Sequence, residues 1–372
     1  MNKQVINTDL PILLLSSTQD PYFRDIFDIM FYPSGIHYRF RYQTKWVSDE
    51  FKDMSGQLDD SKINFLNGRD AIIVLISTQK NDTFKLHEFL PVREAVITNA
   101  RIVGDFLWID FELGNWVTYV ESASFSAPNE HHETIKGLMP EDSKTVVTRL
   151  LLQTKPFSLA TVSDNAGLND MDTLNNWTKI TTHISNFHLN RADSKKIPVF
   201  LKFMKMVDTT KNKNMKVVDV GDQKGFEITS DHSYNLDIVE YTNQNVQPFD
   251  LELKTDEKLI SQTAGISEIR GKYDLLHFNF LCASLSKSVI TTFSFESSSK
   301  DYTIGKLFFW AKVKTKRWNY VIGPLLVLTI SALFAGDEFV NFLTGQPFNG
   351  GTLVIGLVGS ILSLVGTQYL RK

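Results

Sequence analysis

The sequence predicts a mainly β or α+β body of one or two barrel-like or sandwich-like modules, joined to a C-terminal two-helix transmembrane hairpin. Three observations predict it. Short apolar or alternating runs of strand length recur through residues 1–125 and 181–310. Glycine and asparagine punctuate them as turns do. Two longer apolar runs close the chain, flanked by basic residues.

In the first β-rich stretch, residues 1–125, Ile36–Tyr42 alternates in polarity and Ala71–Ser77 is a continuous apolar run, as in a strand buried on both faces. Arg93–Val103, Asp105–Leu113 and Asn115–Val120 follow, with Gly104-Asp105 and Gly114-Asn115 placed as hairpin turns. On the middle run, Leu107, Ile109, Phe111 and Leu113 share one wholly apolar face. Phe106, Trp108, Asp110 and Glu112 share a mixed one, the pattern of a sheet packed on one side. Asp20–Met30 reads as a short helix capping this sheet, and Asp49–Phe65 as room for another.

Residues 126–180 read as a mixed helical and linker region. A helix is expected over Glu141–Gln153, and Ser163–Thr178, rich in Asn and Asp, is expected to be loop. Residues 181–310 form a second β-rich module, in which Phe249, Leu251 and Leu253 alternate with Asp250, Glu252 and Lys254. Ile102-x-Gly104-x-Phe106 and Ile269-x-Gly271-x-Tyr273 share a spacing 167 residues apart. Shared strand grammar and a tandem pair of related modules both produce such an echo.

Residues 311–372 carry the membrane signal. Trp318–Ala335 is 18 residues without a charge and Gly350–Leu370 is 21. As helices they span about 27 and 31 Å, against a hydrocarbon layer of about 30 Å. Trp318, Tyr320 and Tyr369 stand at interface positions, where aromatic rings settle. Lys312, Lys314, Lys316 and Arg317 precede the first span and Arg371 and Lys372 follow the second, whereas the connecting loop holds only Asp337 and Glu338. That bias puts both termini on the cytoplasmic side of the cell inner membrane, with two spans. Gly356, Gly359, Ser360, Ser363 and Gly366 give the second span small faces, suited either to packing on the first span or to homo-oligomerisation. Two buried core helices would be the alternative for the whole region.

Composition excludes several classes. A net charge of −3 argues against general nucleic-acid binding. A single cysteine, Cys282, excludes an internal disulfide. No nucleotide loop, nucleophile elbow or zinc-ligand spacing is present, so no cofactor, metal or catalytic residue is predicted. The adjacent His131-His132-Glu133 has the wrong spacing for a zinc helix. One basic stretch stands out, with Lys195, Lys196, Lys202, Lys205, Lys211 and Lys213. It suits a solvated strand edge, anionic headgroups or a small anionic ligand.

The architecture is similar to that of bacterial defence-type membrane effectors, in which a soluble β-barrel senses a signal and two spans act on the bilayer. It implies a cytosolic binding or sensor module with a lipid bilayer and a protein partner or small anionic ligand as its partners. A static membrane scaffold that recruits a partner, and a membrane-tethered enzyme, are the alternatives from other classes.

Overall fold

The computed structural model describes residues 12–17, 23–80, 85–117, 150–152, 161–162, 171–189, 196–255, 259–264, 266–269, 271–285, 287–305, 307–315 and 340–347. The chain is mainly β, with curled sheets. Among the described residues no helix is long and apolar enough to cross a membrane. Both apolar runs of the expected hairpin lie outside the described residues.

The first sheet is built from β1 (Ile12–Ser17), β2 (His37–Gln43), β3 (Asp70–Lys80), β4 (Lys85–Val103), β5 (Phe106–Val117), β6 (Leu150–Leu152) and β7 (Thr161–Val162). Its order is β2-β5-β4-β3-β1-β6, with β7 on the far end of β5. β1 and β3 run parallel, and both are apolar on two faces because both faces are covered. On β5 the expected alternation holds: Leu107, Ile109, Phe111 and Leu113 are buried, and the residues between them reach solvent.

Gly104 turns the β4–β5 hairpin in a left-handed conformation (φ +59°) that a side chain would strain. Gly114-Asn115, by contrast, is no turn. β5 runs straight through it to Val117, and the register slips there, so that Arg93 faces Trp116 while Ala95 faces Leu113. The two residues form a β-bulge, which punctuates a sequence as a turn does but bends a strand without ending it.

The second half is a sandwich. One sheet, in order β10-β9-β13-β17-β15, comprises β9 (Phe200–Asp208), β10 (Lys213–Asn214), β13 (Ser233–Tyr241), β15 (Ile260–Ala264) and β17 (Tyr273–Cys282). The other, in order β11-β12-β20-β18-β14-β16, comprises β11 (Val217–Val220), β12 (Gln223–Thr229), β14 (Phe249–Lys254), β16 (Ile266–Ile269), β18 (Val289–Ser297) and β20 (Phe308–Lys314). A short parallel pair, β8 (Ile197–Pro198) and β19 (Tyr302–Thr303), closes one end. The segment entering the first apolar run is therefore a strand, with β20 between β12 and β18. The sandwich core is aromatic: Phe293 stacks on Phe309 at 5.0 Å, Phe203 on Phe226 at 4.8 Å, and Phe278 meets Phe295 edge-on at 5.6 Å. The echo around Gly104 and Gly271 is strand grammar. Gly104 joins two paired strands, whereas Gly271 joins β16 to β17, which lie in different sheets.

Two expectations for the connecting region are overturned. Leu150–Leu152, placed in a helix, is strand β6 against β1. The Asn- and Asp-rich segment expected to be loop holds the first half of a helix, α3 (Met171–Leu189), whereas the helix expected within Asp49–Phe65 is the short α2 (Asp60–Asn64). In α3, Asn175 is exposed, while Leu174, Trp177, Ile180, Thr181 and Ile184 make a buried stripe at helical spacing. Asn176 is itself buried and donates to the Val117 carbonyl.

A single hydrophobic core runs from the first sheet into the sandwich. Helix α1 (Phe23–Phe31) is the joint. Phe27 stacks on Phe200 at 4.8 Å, Phe31 meets Phe203 and Phe295 edge-on, and the Tyr32 hydroxyl donates to the Phe308 carbonyl. Trp177 Nε1 donates to the Met30 carbonyl at 2.9 Å, tying α3 to the same helix. Arg93 is fully buried beneath the C-terminal end of α1. It donates to the Ile29 and Tyr32 carbonyls at 3.0 and 2.7 Å, and its Nη2 reaches the Gly114 carbonyl at 2.6 Å. A cation there satisfies helix-end carbonyls that have no partner in the helix.

Candidate functional site

Where the first sheet meets the sandwich, a cleft of about 450 Å³ opens. That volume suits a small molecule. One wall is α1 and β2, with Asp28, Tyr32, His37, Tyr38 and Arg39; the other is β12 and the outer face of β20, with Gln223, Lys224, Phe308 and Trp310. Thr98, Asn99 and Asp110 of β4 and β5 lie along its floor.

The strand pattern explains why these side chains converge. β2 is the edge strand of its sheet, so one long side of it faces the sandwich instead of a neighbouring strand. Across β20, Phe309, Ala311 and Val313 point into the sandwich core, which leaves Phe308, Trp310, Lys312 and Lys314 on the outer face. Gly225 lets β12 and β20 approach: a Cβ there would collide with the Trp310 carbonyl oxygen.

Most charges in the cleft are already matched. Arg39 bonds Asp110, which also receives Arg101 and Asn99, both at 3.3 Å. Lys224 pairs with Asp219 at 2.9 Å, and His37 lies 3.5 Å from Glu112. Asp28 is the exception. It sits one helical turn from Asp25, and the Tyr38 hydroxyl reaches both, 3.0 Å from Asp25 Oδ1 and 2.8 Å from Asp28 Oδ2. One hydroxyl proton shared between two carboxylates makes only a weak three-centre contact, so the pair of short contacts favours a proton on one carboxyl group. Burial drives the same result: it raises Asp28 to about 7 and Asp25 to about 6, against the opposing pull of the Tyr38 hydrogen bond in both and of Arg41 on Asp25. Asp28 Oδ1 is shut off from water and has no hydrogen-bond partner among the described residues. Paired carboxylates escaped sequence reasoning, although Asp25-x-x-Asp28 in a helix whose other residues, Arg24 apart, are apolar was the available signal.

The basic stretch does not form one surface. Lys202 is buried, with its Nζ 5.1 Å from the Trp116 ring centre, and so cannot meet a headgroup or a dissolved anion. Strand alternation sends Lys202 to the covered side of β9, whereas Lys205 lies beyond a bulge and pairs with Asp237 at 3.6 Å. Lys196, Lys211 and Lys213 are exposed, and Lys195 lies outside the described residues. Of the expected membrane flank, Lys312 and Lys314 are strand residues on β20, and Lys314 pairs with Glu227 at 2.6 Å. Lys316, Arg317, Trp318, Tyr320, Gly356, Gly359, Ser360, Ser363, Gly366, Tyr369, Arg371 and Lys372 lie outside the described residues, as does His131-His132-Glu133.

Two Asp–His pairs occur on the sandwich: Asp208 with His232 at 2.7 Å, buried, and Asp237 with His277 at 2.6 Å, at the surface. Cys282 lies beside the first, its amide bonded to the His232 carbonyl. Burial, with Asp231 adding to it, pushes the thiol up to about 12, the reverse of an activated nucleophile.

Neither a scan of protein-family models nor a search of curated proteins matches the chain. Among solved structures, a Bacteroides ovatus GH5 xyloglucanase in complex with a heptasaccharide is 10% identical, with a TM-score of 0.17 over 27% of this chain and 19% of its own. The secreted serine protease VesC from Vibrio cholerae is 9% identical, with a TM-score of 0.17 over 67% of each chain. The chain thus spans about a fifth of the xyloglucanase and two thirds of the protease, and neither likeness carries an argument about fold or activity.

Proposed function

We propose that the chain is a membrane-anchored β-rich binding module whose ligand occupies the cleft between the first sheet and the sandwich. Its C-terminal apolar pair holds it to the bilayer and responds to that occupation. The observation that carries this is the double duty of β20. It supplies Phe308 and Trp310 to the cleft wall, and only Thr315, Lys316 and Arg317 separate its end from the uncharged run that starts at Trp318. A ligand that shifts β20 therefore pulls on the first span directly. To act as a switch it must prefer one arrangement of the spans over the other. The small faces of the second span supply a surface on which such arrangements can differ.

The test uses the full-length chain in lipid vesicles, chemically cross-linked with and without a protein-free extract of cellular small molecules, alongside dye-release measurements. Occupation should change the oligomer distribution or release dye, and Trp310→Ala should blunt the response. Unchanged oligomers together with retained dye would refute the switch.

A further inference from the structure

We infer that the cleft takes a small organic amine, with the ammonium group seated against Asp28 and the apolar body against the rings of Tyr38 and Trp310. This rests on the cleft being the ligand site. Charge matching points to a cation. Arg39 and Lys224, the cations of the walls, and His37 each already face a carboxylate, at Asp110, Asp219 and Glu112. Two acids of the cleft have no cation among the described residues: Asp28, which touches only the Tyr38 hydroxyl, and Asp222, which is exposed at its mouth. An anionic ligand would have to displace an existing ion pair, whereas a cationic one completes the set.

An unsatisfied atom points the same way. Asp28 Oδ1 is buried with no donor among the described residues. A buried acceptor left without a partner has lost its water and gained nothing in return. An ammonium offers three donors, enough for the side of the Asp28 carboxyl that lines the cleft and for a neighbouring carbonyl or water, and its charge also stabilises the carboxylate that holds the enclosed Oδ1. The aromatic surround suits the rest of the ligand. Tyr38 on one wall and Phe308 and Trp310 on the other line the cleft with aromatic rings, which suit a cation and an apolar body alike.

A proton must leave when the amine arrives. Tyr38 lies within hydrogen-bond reach of both Asp25 and Asp28, so one carboxyl carries a proton in the empty site. Docking replaces the acid by a carboxylate: one carboxylic acid and one ammonium ion become a carboxylate–ammonium pair and a proton released to solvent. The groups facing the pair are few. Asp25 lies on the same helix, Tyr38 and the more distant Arg41 on β2, and Tyr32 at the end of α1. His37 on the same wall and Lys224 across the cleft stay with their own partners. Burial holds Asp28 near 7, so its release of the proton falls inside the pH range of the measurement.

The experiment is calorimetric titration of the full-length chain in detergent micelles with three probes of one shape: phenethylamine, 2-phenylethanol and phenylacetate. Cleft occupation is read in parallel from fluorescence, with Trp310→Phe to assign the Trp310 signal. Phenethylamine should bind about tenfold or more tightly than the alcohol, as expected for one desolvated ion pair, with phenylacetate weakest. Amine affinity should fall about tenfold from pH 8 to pH 5, following the retained proton. The apparent enthalpy should differ between phosphate and Tris buffers by the heat of the released proton. Asp28→Asn should bring the amine down to the level of the alcohol. If Asp28→Asn fails to fold, the pH profile and the probe ranking in the parent chain still decide. Alcohol or phenylacetate binding as tightly as the amine, with the Trp310 signal perturbed, would overturn the amine and leave the cleft standing. No change from any probe would overturn both.

Discussion

Asp28→Asn gives the sharpest test of the joint, because its effect on stability should change with pH. In the folded chain burial raises Asp28 from 3.8 to about 7, whereas the unfolded chain keeps the ordinary value. The sign follows from proton counts. Below pH 4 both states hold the proton and the group costs nothing. As pH rises from 4 to 7 the unfolded state loses its proton first, so stability falls, and above 7 the loss is complete. At about 1.4 kcal/mol per tenfold the full loss would reach roughly 4 kcal/mol. Asp28 shares its site with Asp25 and is partly open to the cleft, which brings the figure to about 2 kcal/mol. Asparagine keeps the shape, donates to the Tyr38 oxygen and never ionises. The variant should match the parent at pH 4 and exceed it at pH 8 by about 2 kcal/mol, roughly 4–8 °C in Tm. Urea or thermal unfolding across pH 4–8 reads the difference directly. A variant less stable than the parent at pH 8, or an offset that does not change with pH, would refute the shared-proton account of Asp25, Asp28 and Tyr38.

Other substitutions probe the scaffold around the site. Arg93→Met leaves the Ile29 and Tyr32 carbonyls without this donor and the Gly114 carbonyl with the Ser34 hydroxyl alone, and urea unfolding should show a loss of about 3 kcal/mol. Gly305→Ala forces a side chain into a left-handed backbone (φ +72°) with its Cβ 2.8 Å from Phe27 Cβ, so about 2 kcal/mol or more should be lost at the α1 joint, read as a lower Tm. Trp177→Ala empties a fully buried site and removes the bond to the Met30 carbonyl, a change expected to cost on the order of 4 kcal/mol by the same unfolding assay. Cys282 should resist alkylation by iodoacetamide in the native chain at pH 8 and react fully once unfolded, because the thiol is buried and raised to about 12.

Local periodicity made much of the β architecture legible. The apolar face of Leu107, Ile109, Phe111 and Leu113 and the alternation of Phe249, Leu251 and Leu253 both follow from a two-residue repeat that no distant contact can shift without exposing them. The short helix within Asp20–Met30 was legible for the same reason, although it runs one residue past that range, to Phe31. What stayed hidden depended on partners far along the chain. The α3 stripe from Leu174 to Ile184 was masked by the Asn and Asp around it, because composition averages over both faces of a helix. Lys202 looked like one lysine among many; only the position of Trp116 shows that it points inward. Asp25 and Asp28 become a site when Tyr38 and β20 close over them, and no spacing in the sequence records that approach.

Attachment of the cleft-bearing body to a bilayer, through the residues that follow β20, is the proposal on which the switch depends. The direct measurement is alkaline carbonate extraction of membranes from cells that make the full-length chain, followed by ultracentrifugation and detection of both ends of the polypeptide. The intact chain should stay in the membrane pellet and enter solution only with detergent. Intact, unaggregated chain in the carbonate supernatant would contradict the proposal.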